Sequence, residues 1–205
     1  MAATEWRGLA TGFPRLSRWA LPGEADFDGR FVLMPDLAQL EIVEYPDPRL
    51  RKPCAPVERF DADLASLAER MIQRMHAAEG VGLAAPQVGV NIRLFVCNTT
   101  GKQGEDRVFV NPRLSELTGA ATKDEGCLSI PEVTVAVRRA TACVIDALDV
   151  TGKPFRLSGA DLAARCWQHE CDHLDGRLIV DRMSEGDQIA NRKKLKELEA
   201  RFRRK

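Results

Sequence analysis

The sequence lacks the features that would indicate a membrane, secreted or nucleic-acid-binding protein. Its 205 residues carry 30 basic and 30 acidic side chains, so there is no chain-wide basic field for nucleic acid. It contains no run of about 18 apolar residues, the length that a membrane span requires. The N-terminus has no apolar segment of a secretory signal. Repeats and low-complexity blocks are also missing, so we expect neither a membrane nor a specific nucleic-acid sequence as a partner.

The remaining composition is that of an ordinary globular chain, with 44% hydrophobic and 29% charged residues. Six cysteines without a secretory signal favour reduced thiols in the cytoplasm over a disulfide framework. Because Met34 could open a shorter protein, we expect residues 1–33 to be a loose extension and residues 34–205 to form one domain. Several early arginines leave an organellar transit peptide as the alternative.

Hydrophobic periodicity predicts a helix, then a group of strands. Asp61 can cap a helix that runs to about Glu79 and ends before Gly80. The next stretch, residues 80–90, is too rich in glycine and proline for a regular element. Strands are predicted at 92–98, 107–112, 133–137, 141–150 and 154–157. This order of elements favours an α+β fold over repeated βαβ units.

Two further helices are predicted after the strands. Ser158 and Asp161 resemble a capping pair for a helix that contains "CWQHECDHL". Ser184 opens a last helix, at about 185–205, which ends in a strongly basic segment. A solvated helix surface and a contact with the ribosome are both compatible with that charge.

The stretch "CWQHECDHLDG" places two histidines four positions apart on one helix. Residues with this spacing differ in direction by about 40°, so His169 and His173 project together and could hold one divalent ion. Glu170 could then reach a water molecule beside the ion. A solvated polar face is the alternative, but both histidines fall on the apolar side with Leu162 and Cys166, where unpaired polar groups would be costly.

A hydrolytic site of this kind needs a third protein ligand. Ile179 occupies the position at which a metzincin has its last histidine, so that pattern fails. A thermolysin-like glutamate would have to be Glu197 or Glu199, which lie in the basic segment. The remaining candidate is Cys127 in "KDEGCLSIPEV", because a thiolate is a strong ligand for divalent metals.

Three motifs together resemble the bacterial-type peptide deformylases. They are "GVGLAAPQ" at 80–87, "EGCLS" at 125–129 and "QHECDH" at 168–173, complete and in the family's order. The resemblance runs from about Leu40 to the C-terminal helix. It implies antiparallel sheets packed around a central helix that carries the HExxH motif, with a helix in the N-terminal half and another at the C-terminus.

The resemblance also implies a reaction, which is hydrolysis of the N-formyl group from the formylmethionine of new polypeptides, with release of formate. The implied metal ligands are Cys127, His169 and His173. The implied ion is Fe²⁺, with Zn²⁺, Ni²⁺ or Co²⁺ as substitutes, although ligand softness alone would suggest zinc. Glu170 carries the proton, and the Gln87 amide with the Leu128 N–H stabilises the oxyanion. The expected substrate contacts are Val81, Gly82, Glu125 and Cys166.

The chain departs from the family's pattern at Thr134, and two rival functions share the metal-site chemistry. Many members have Arg or Tyr where this chain has Thr134, and Arg138 or Arg139 could compensate. Asp172 could support the metal-bound imidazoles, and Arg165 has either a structural or a pocket-rim position. The rivals are an HExxH metalloprotease and a non-catalytic, ribosome-associated metal-binding module.

Overall fold

The computed structural model describes residue 37 and residues 40–204 of the chain. The expected extension at residues 1–33, and the possible start at Met34, lie outside these residues. Within them, three α-helices combine with antiparallel sheets, so the predicted α+β fold is confirmed. None of the described helices is both long and apolar enough to cross a membrane.

The strands form two separate antiparallel sheets. A five-stranded sheet has the order β1-β2-β3-β6-β7, and a two-stranded sheet consists of β4 and β5. The bounds are β1 Gly82–Ala84, β2 Leu94–Cys97, β3 Arg107–Thr118, β4 Ala121–Cys127, β5 Ile130–Arg139, β6 Ala142–Leu148 and β7 Pro154–Ala160. Because β1 lies at an edge of its sheet, it pairs with β2 alone in the described part of the chain.

The helices are α1 Ala62–Ala77, α2 Asp161–Leu174 and α3 Glu185–Phe202. Asp61 caps α1 as predicted, since its carboxylate accepts a hydrogen bond of 3.1 Å from the Leu64 N–H. The Ser184 cap of α3 is also confirmed, with a bond of 3.1 Å from the Asp187 N–H. The cap predicted for α2 is wrong: Ser158 lies inside β7, and the N-cap residue is Ala160.

The helices α1 and α2 cover opposite faces of the five-stranded sheet. Alternate residues of β2 show this, because successive side chains of a strand point to opposite faces. Leu94 and Val96 pack in the cluster of α1, whereas Phe95 and Cys97 pack in the cluster that contains Trp167 of α2. Helix α3 instead covers β5, where Leu198 is buried.

All five predicted strands are confirmed in place, and two were missed. The missed strands are β1 and β4, and both carry residues of the predicted site. The segment expected to lack regular structure contains β1 followed by a 3₁₀ helix, Ala85–Val88. Helix α1 ends at Ala77, and the backbone reverses at Glu79 with a φ of 55° rather than at Gly80.

Candidate metal centre

Cys127, His169 and His173 bring three ligand atoms together. Cys127 is the last residue of β4, and both histidines lie on one face of α2. The Cys127 Sγ lies 3.3 Å from the His173 Nε2, which lies 3.2 Å from the His169 Nε2. All three atoms are within 4.8 Å of one another, and no other His, Cys, Asp or Glu of the described residues joins the group. One sulfur and two imidazole nitrogens form a donor set suited to a divalent transition metal.

The two histidines of the cluster have pKa values shifted in opposite directions. Burial opposes the charged form of His169, but its contacts with the Cys127 thiol and the Glu125 carboxylate raise its pKa to about 10. Burial lowers the pKa of His173, and the positive His169 lowers it further. The residues present fit a divalent ion, because one thiol and two imidazoles lie within 4.8 Å of one another.

Glu170 lies beside the cluster with its carboxylate buried. The residue is 3% exposed, and its Oε2 has no hydrogen-bond partner among the described residues. Burial raises the pKa of Glu170 to about 7, while the nearby His169 opposes that rise. A carboxylate with a pKa near neutrality can both accept and return a proton.

The position of Glu170 depends on the absence of a side chain at Gly82. A Cβ atom at Gly82 would lie 2.4 Å from the Glu170 Oε1 and 2.8 Å from the Cys166 Sγ. Strand β1 therefore packs directly on α2, so the backbone of the edge strand lies close to the candidate proton carrier.

Gln87 is buried, and its amide has a fixed orientation. Its Oε1 accepts a hydrogen bond of 2.8 Å from the Ala84 N–H, which fixes the opposite, Nε2 end of the amide. That end lies 3.6 Å from the Cys127 Sγ and 3.2 Å from the Ser129 Oγ. The donor of Gln87 consequently faces the candidate metal centre, as an oxyanion donor requires.

Glu125 is the centre of a buried ion-pair network. Its Oε2 lies 3.1 Å from the His169 Nδ1 and 2.8 Å from the Arg139 Nη2. Its Oε1 accepts hydrogen bonds of 2.9 Å from the Arg139 Nε and 2.6 Å from the Arg165 Nη1. Burial by itself would raise the pKa of Glu125, but the hydrogen bonds from Arg139 and His169 outweigh it and lower the pKa. The carboxylate therefore stays charged and holds the His169 ring with its Nε2 toward Cys127.

Asp172 and Gln168 attach α2 to the end of β5. The Arg139 Nη1 lies 2.5 Å from an oxygen of Asp172, and Arg182 bonds both oxygens of the same carboxylate. Gln168 exchanges two hydrogen bonds of 3.0 Å with the backbone of Ala140. Both side chains therefore stabilise the helix turn on which the two histidines lie.

A cleft of about 560 Å³ opens onto the cluster and contains most of the predicted site residues. They are Val81, Gly82, Gln87, Glu125, Cys127, Leu128, Cys166, His169 and Glu170. Val81 is exposed on its rim, whereas Cys166 is buried with its Sγ 3.7 Å from the Val81 carbonyl oxygen. Glu125 lies along the cleft, but the arginines and His169 already contact both of its oxygens.

Thr134 is exposed and also lies along the cleft. The hypothesis that Arg139 compensates for it is wrong, because that guanidinium is buried against Glu125 and Asp172. Arg138 is exposed on β5 but is not among the residues that line the cleft.

Sequence reasoning named Ser129, Arg139 and Arg165 but did not find the contacts by which they organise the site. Ser129 is inside a recognised motif, but no sequence pattern indicates that it meets Gln87, 42 positions earlier. The two arginines contact a glutamate 14 and 40 positions earlier in the chain. The sequence carries no signal for these contacts unless Glu125 is known to be buried, in which case its carboxylate requires cationic partners.

Comparison with known proteins gives consistent matches over the residues that form the fold and the site. A family model described as Polypeptide deformylase matches residues 39–188. The peptide deformylase of Alkalilimnicola ehrlichii is 45% identical over 163 residues, which are 79% of this chain and 92% of that protein. Peptide deformylase 1B, chloroplastic/mitochondrial, of Arabidopsis thaliana is 42% identical over 169 residues, covering 81% of this chain and 62% of that protein.

A solved structure is similar over the same range. The crystal structure of a peptide deformylase from Legionella pneumophila has a TM-score of 0.74 and 44% identity, covering 80% of this chain and 98% of that chain. The residues matched by the family model include every member of the cluster and its buried network.

Proposed function

Because the chain belongs to the polypeptide deformylase family, we propose that Cys127, His169 and His173 hold its divalent ion and that Glu170 carries the proton. The chain is a hydrolase that removes the formyl group from the N-terminal formylmethionine of new polypeptides. The observation that carries the proposal is the three-atom cluster beside a buried, unpartnered carboxylate oxygen of Glu170. No carboxylate of α3 joins the cluster within the described residues, which argues against the metalloprotease ligand set.

The residues of the site have separate roles in the proposed mechanism. A divalent ion held by the cluster would act as a Lewis acid, which would lower the pKa of the attacking water and polarise the formyl carbonyl. Glu170 accepts the proton of the water that attacks the formyl carbon, and then donates it to the leaving amine. The Gln87 Nε2–H and the Leu128 N–H donate to the developing oxyanion, and each donor is worth about 3 kcal/mol.

The substrate is proposed to bind as an extra strand on the free edge of β1. Gly82 lies on that edge, and Val81 presents an exposed side chain to the cleft. A peptide paired with β1 would place its first residue next to Glu170 and Cys166, which both lie against Gly82. Thr134, which also lines the cleft, can offer only a short hydroxyl, so backbone pairing carries most of the peptide recognition.

We propose Fe²⁺ as the ion in cells, because the family resemblance implies it, with Zn²⁺, Ni²⁺ or Co²⁺ as substitutes that a thiolate with two imidazoles also accepts. Metal analysis of protein purified without oxygen tests this, and zinc as the main ion would refute it. The cytoplasm is the proposed compartment. All six cysteines are free, as in a reducing environment, and the Arabidopsis relative makes an organelle the alternative. Localisation of a fluorescent fusion of the full chain distinguishes the two.

Formate release tests the reaction itself. Anaerobic protein loaded with iron or nickel should release formate from formyl-Met-Ala-Ser, and acetyl-Met-Ala-Ser should remain intact. Glu170→Ala should retain the metal and lose turnover, whereas Cys127→Ala should bind the metal more weakly. Cleavage inside an unformylated peptide, or failure of the wild type to release formate, would refute the proposal.

The basic helix α3 is the proposed contact with the ribosome. Arg192, Lys193 and Lys196 are exposed, whereas Leu198 of the same helix is buried against β5. Truncation at residue 190 would uncover the core, so reversal of the three exposed charges is the cleaner test. The triple glutamate variant should lose sedimentation with ribosomes at low salt and keep its activity on formyl-Met-Ala-Ser. Unchanged sedimentation would refute this contact.

A further inference from the structure

We propose that Arg165 is a positioning residue, which ties the β4–β5 hairpin that carries Cys127 to the helix α2 that carries both histidines. The inference rests on the proposed metal centre. A centre whose ligands come from two separate elements keeps its geometry only if those elements are held at a constant distance. Arg165 lies on α2 one helical turn before His169, so its side chain projects to the same side of the helix.

The guanidinium of Arg165 makes three contacts with the hairpin. Its Nη2 donates to the Ala121 carbonyl oxygen, at 2.9 Å, where β4 begins. Its Nη1 donates to the Val137 carbonyl oxygen of β5, at 3.0 Å, and to the Glu125 Oε1, at 2.6 Å. One side chain of α2 thus contacts both strands of the hairpin and the residue that bonds His169.

The contact with Glu125 completes the set of donors around that carboxylate. An ionised carboxylate offers about four acceptor sites. Two are used by Arg139, one by the His169 ring and one by Arg165. Without Arg165, the Oε1 keeps only the Arg139 Nε, and the hydrogen bonds from α2 to the Ala121 and Val137 carbonyl oxygens are lost. The hairpin can then shift relative to α2, which changes the distance between Cys127 and the His169 ring.

Arg165 lies along the cleft, but its contacts argue against a role in substrate binding. Its side chain is 12% exposed, and its two terminal nitrogens already donate to Glu125, Val137 and Ala121. A buried arginine–carboxylate pair adds little net stability over an apolar pair of the same size. Arg165 therefore acts by holding the hairpin and α2 in a defined geometry. Its loss should change how firmly the metal is retained and leave peptide affinity unchanged.

Arg165→Met tests the proposal, because methionine keeps an unbranched side chain and removes every donor. The matched control is Arg177→Met, an exposed arginine just beyond the end of α2. Each protein is loaded anaerobically with Co²⁺, and three quantities are measured. They are the rate of metal loss to a chelator, the thiolate-to-cobalt charge-transfer absorption, and kcat and KM on formyl-Met-Ala-Ser.

Arg165→Met should lose cobalt about tenfold faster than the wild type, with a shifted charge-transfer band, a lower kcat and an unchanged KM. Arg165→Lys should fall between the two, because an ammonium keeps the Glu125 contact and loses the forked contacts with both strands. The control should match the wild type. If Arg165→Met does not fold, a faster metal loss in Arg165→Lys than in the wild type supports the proposal, and an equal rate overturns it.

Unchanged metal loss with a raised KM would overturn the proposal, since Arg165 would then contact the substrate. A lower thermal stability with unchanged metal loss and spectrum would overturn it too, because the role would be merely structural. If the wild type bound cobalt but released no formate, the proposed function would fail while the comparison of metal-loss rates still decided this inference.

Discussion

Gly82→Ala should impair the chemical step without removing the metal. The added Cβ would lie 2.4 Å from the Glu170 Oε1 and 2.8 Å from the Cys166 Sγ, whereas ordinary contact begins at 3.4 Å. Glu170 must therefore move by about 1 Å, and a displacement of that size costs about 100-fold in rate. Overpacking at a buried position also costs about 1–3 kcal/mol of stability.

The assay for Gly82→Ala separates displacement of Glu170 from general damage. The expected result is a kcat on formyl-Met-Ala-Ser about 100-fold below that of the wild type, with one metal ion still bound, since the methyl group does not reach the three ligands. Gly186→Ala is the control, because a Cβ there meets nothing closer than the Ser184 Oγ at 3.7 Å. A Gly82→Ala protein with a kcat within twofold of the wild type would refute the reasoning, because Glu170 would then not need its present position.

Two further predictions concern a donor and a helix cap. Gln87→Leu removes the amide N–H that faces the candidate metal centre, so kcat/KM should fall about 100- to 1,000-fold with metal content retained. A fall of less than tenfold would contradict the role of Gln87 as an oxyanion donor. Asp61→Ala removes the cap of α1 and should lower the free energy of unfolding by about 1 kcal/mol, measured in urea, with unchanged kcat. Asp63→Ala, two residues later in the first turn, is the control. An equal loss of stability in both variants would contradict the capping role of Asp61.

The elements that could be predicted from sequence are those with a strong hydrophobic pattern. Strand β5 alternates buried and exposed residues along most of its length, and α1 buries one regular stripe. Strand β4 has only one buried residue, Glu125, so its pattern resembles that of a polar loop. Strand β1 has three residues inside a glycine- and proline-rich segment, and only its pairing with β2 makes it a strand.

The residues of the site also differ in whether the sequence alone could predict their contacts. His169 and His173 could be paired from their helical spacing, because that spacing is local. Thiolate chemistry made Cys127 a candidate third ligand, and the family motifs linked it to the histidines, since nothing in the spacing alone indicates a contact between β4 and α2. The contacts of Arg139 and Arg165 with Glu125 could not be predicted, because a long-range ion pair leaves no periodic signal and an arginine is exposed by default.

The small size of residue 82 connects the fold to the reaction. In the proposed mechanism the substrate pairs with β1 and the proton carrier lies on α2, so the distance between strand and helix would set the distance between the bound peptide and Glu170. With a side chain at residue 82, either Glu170 or the strand would have to move. The glycine leaves no Cβ atom between β1 and the side chains of Glu170 and Cys166. A formyl group on a peptide paired with β1 can therefore lie within reach of a carboxylate that remains buried from bulk water.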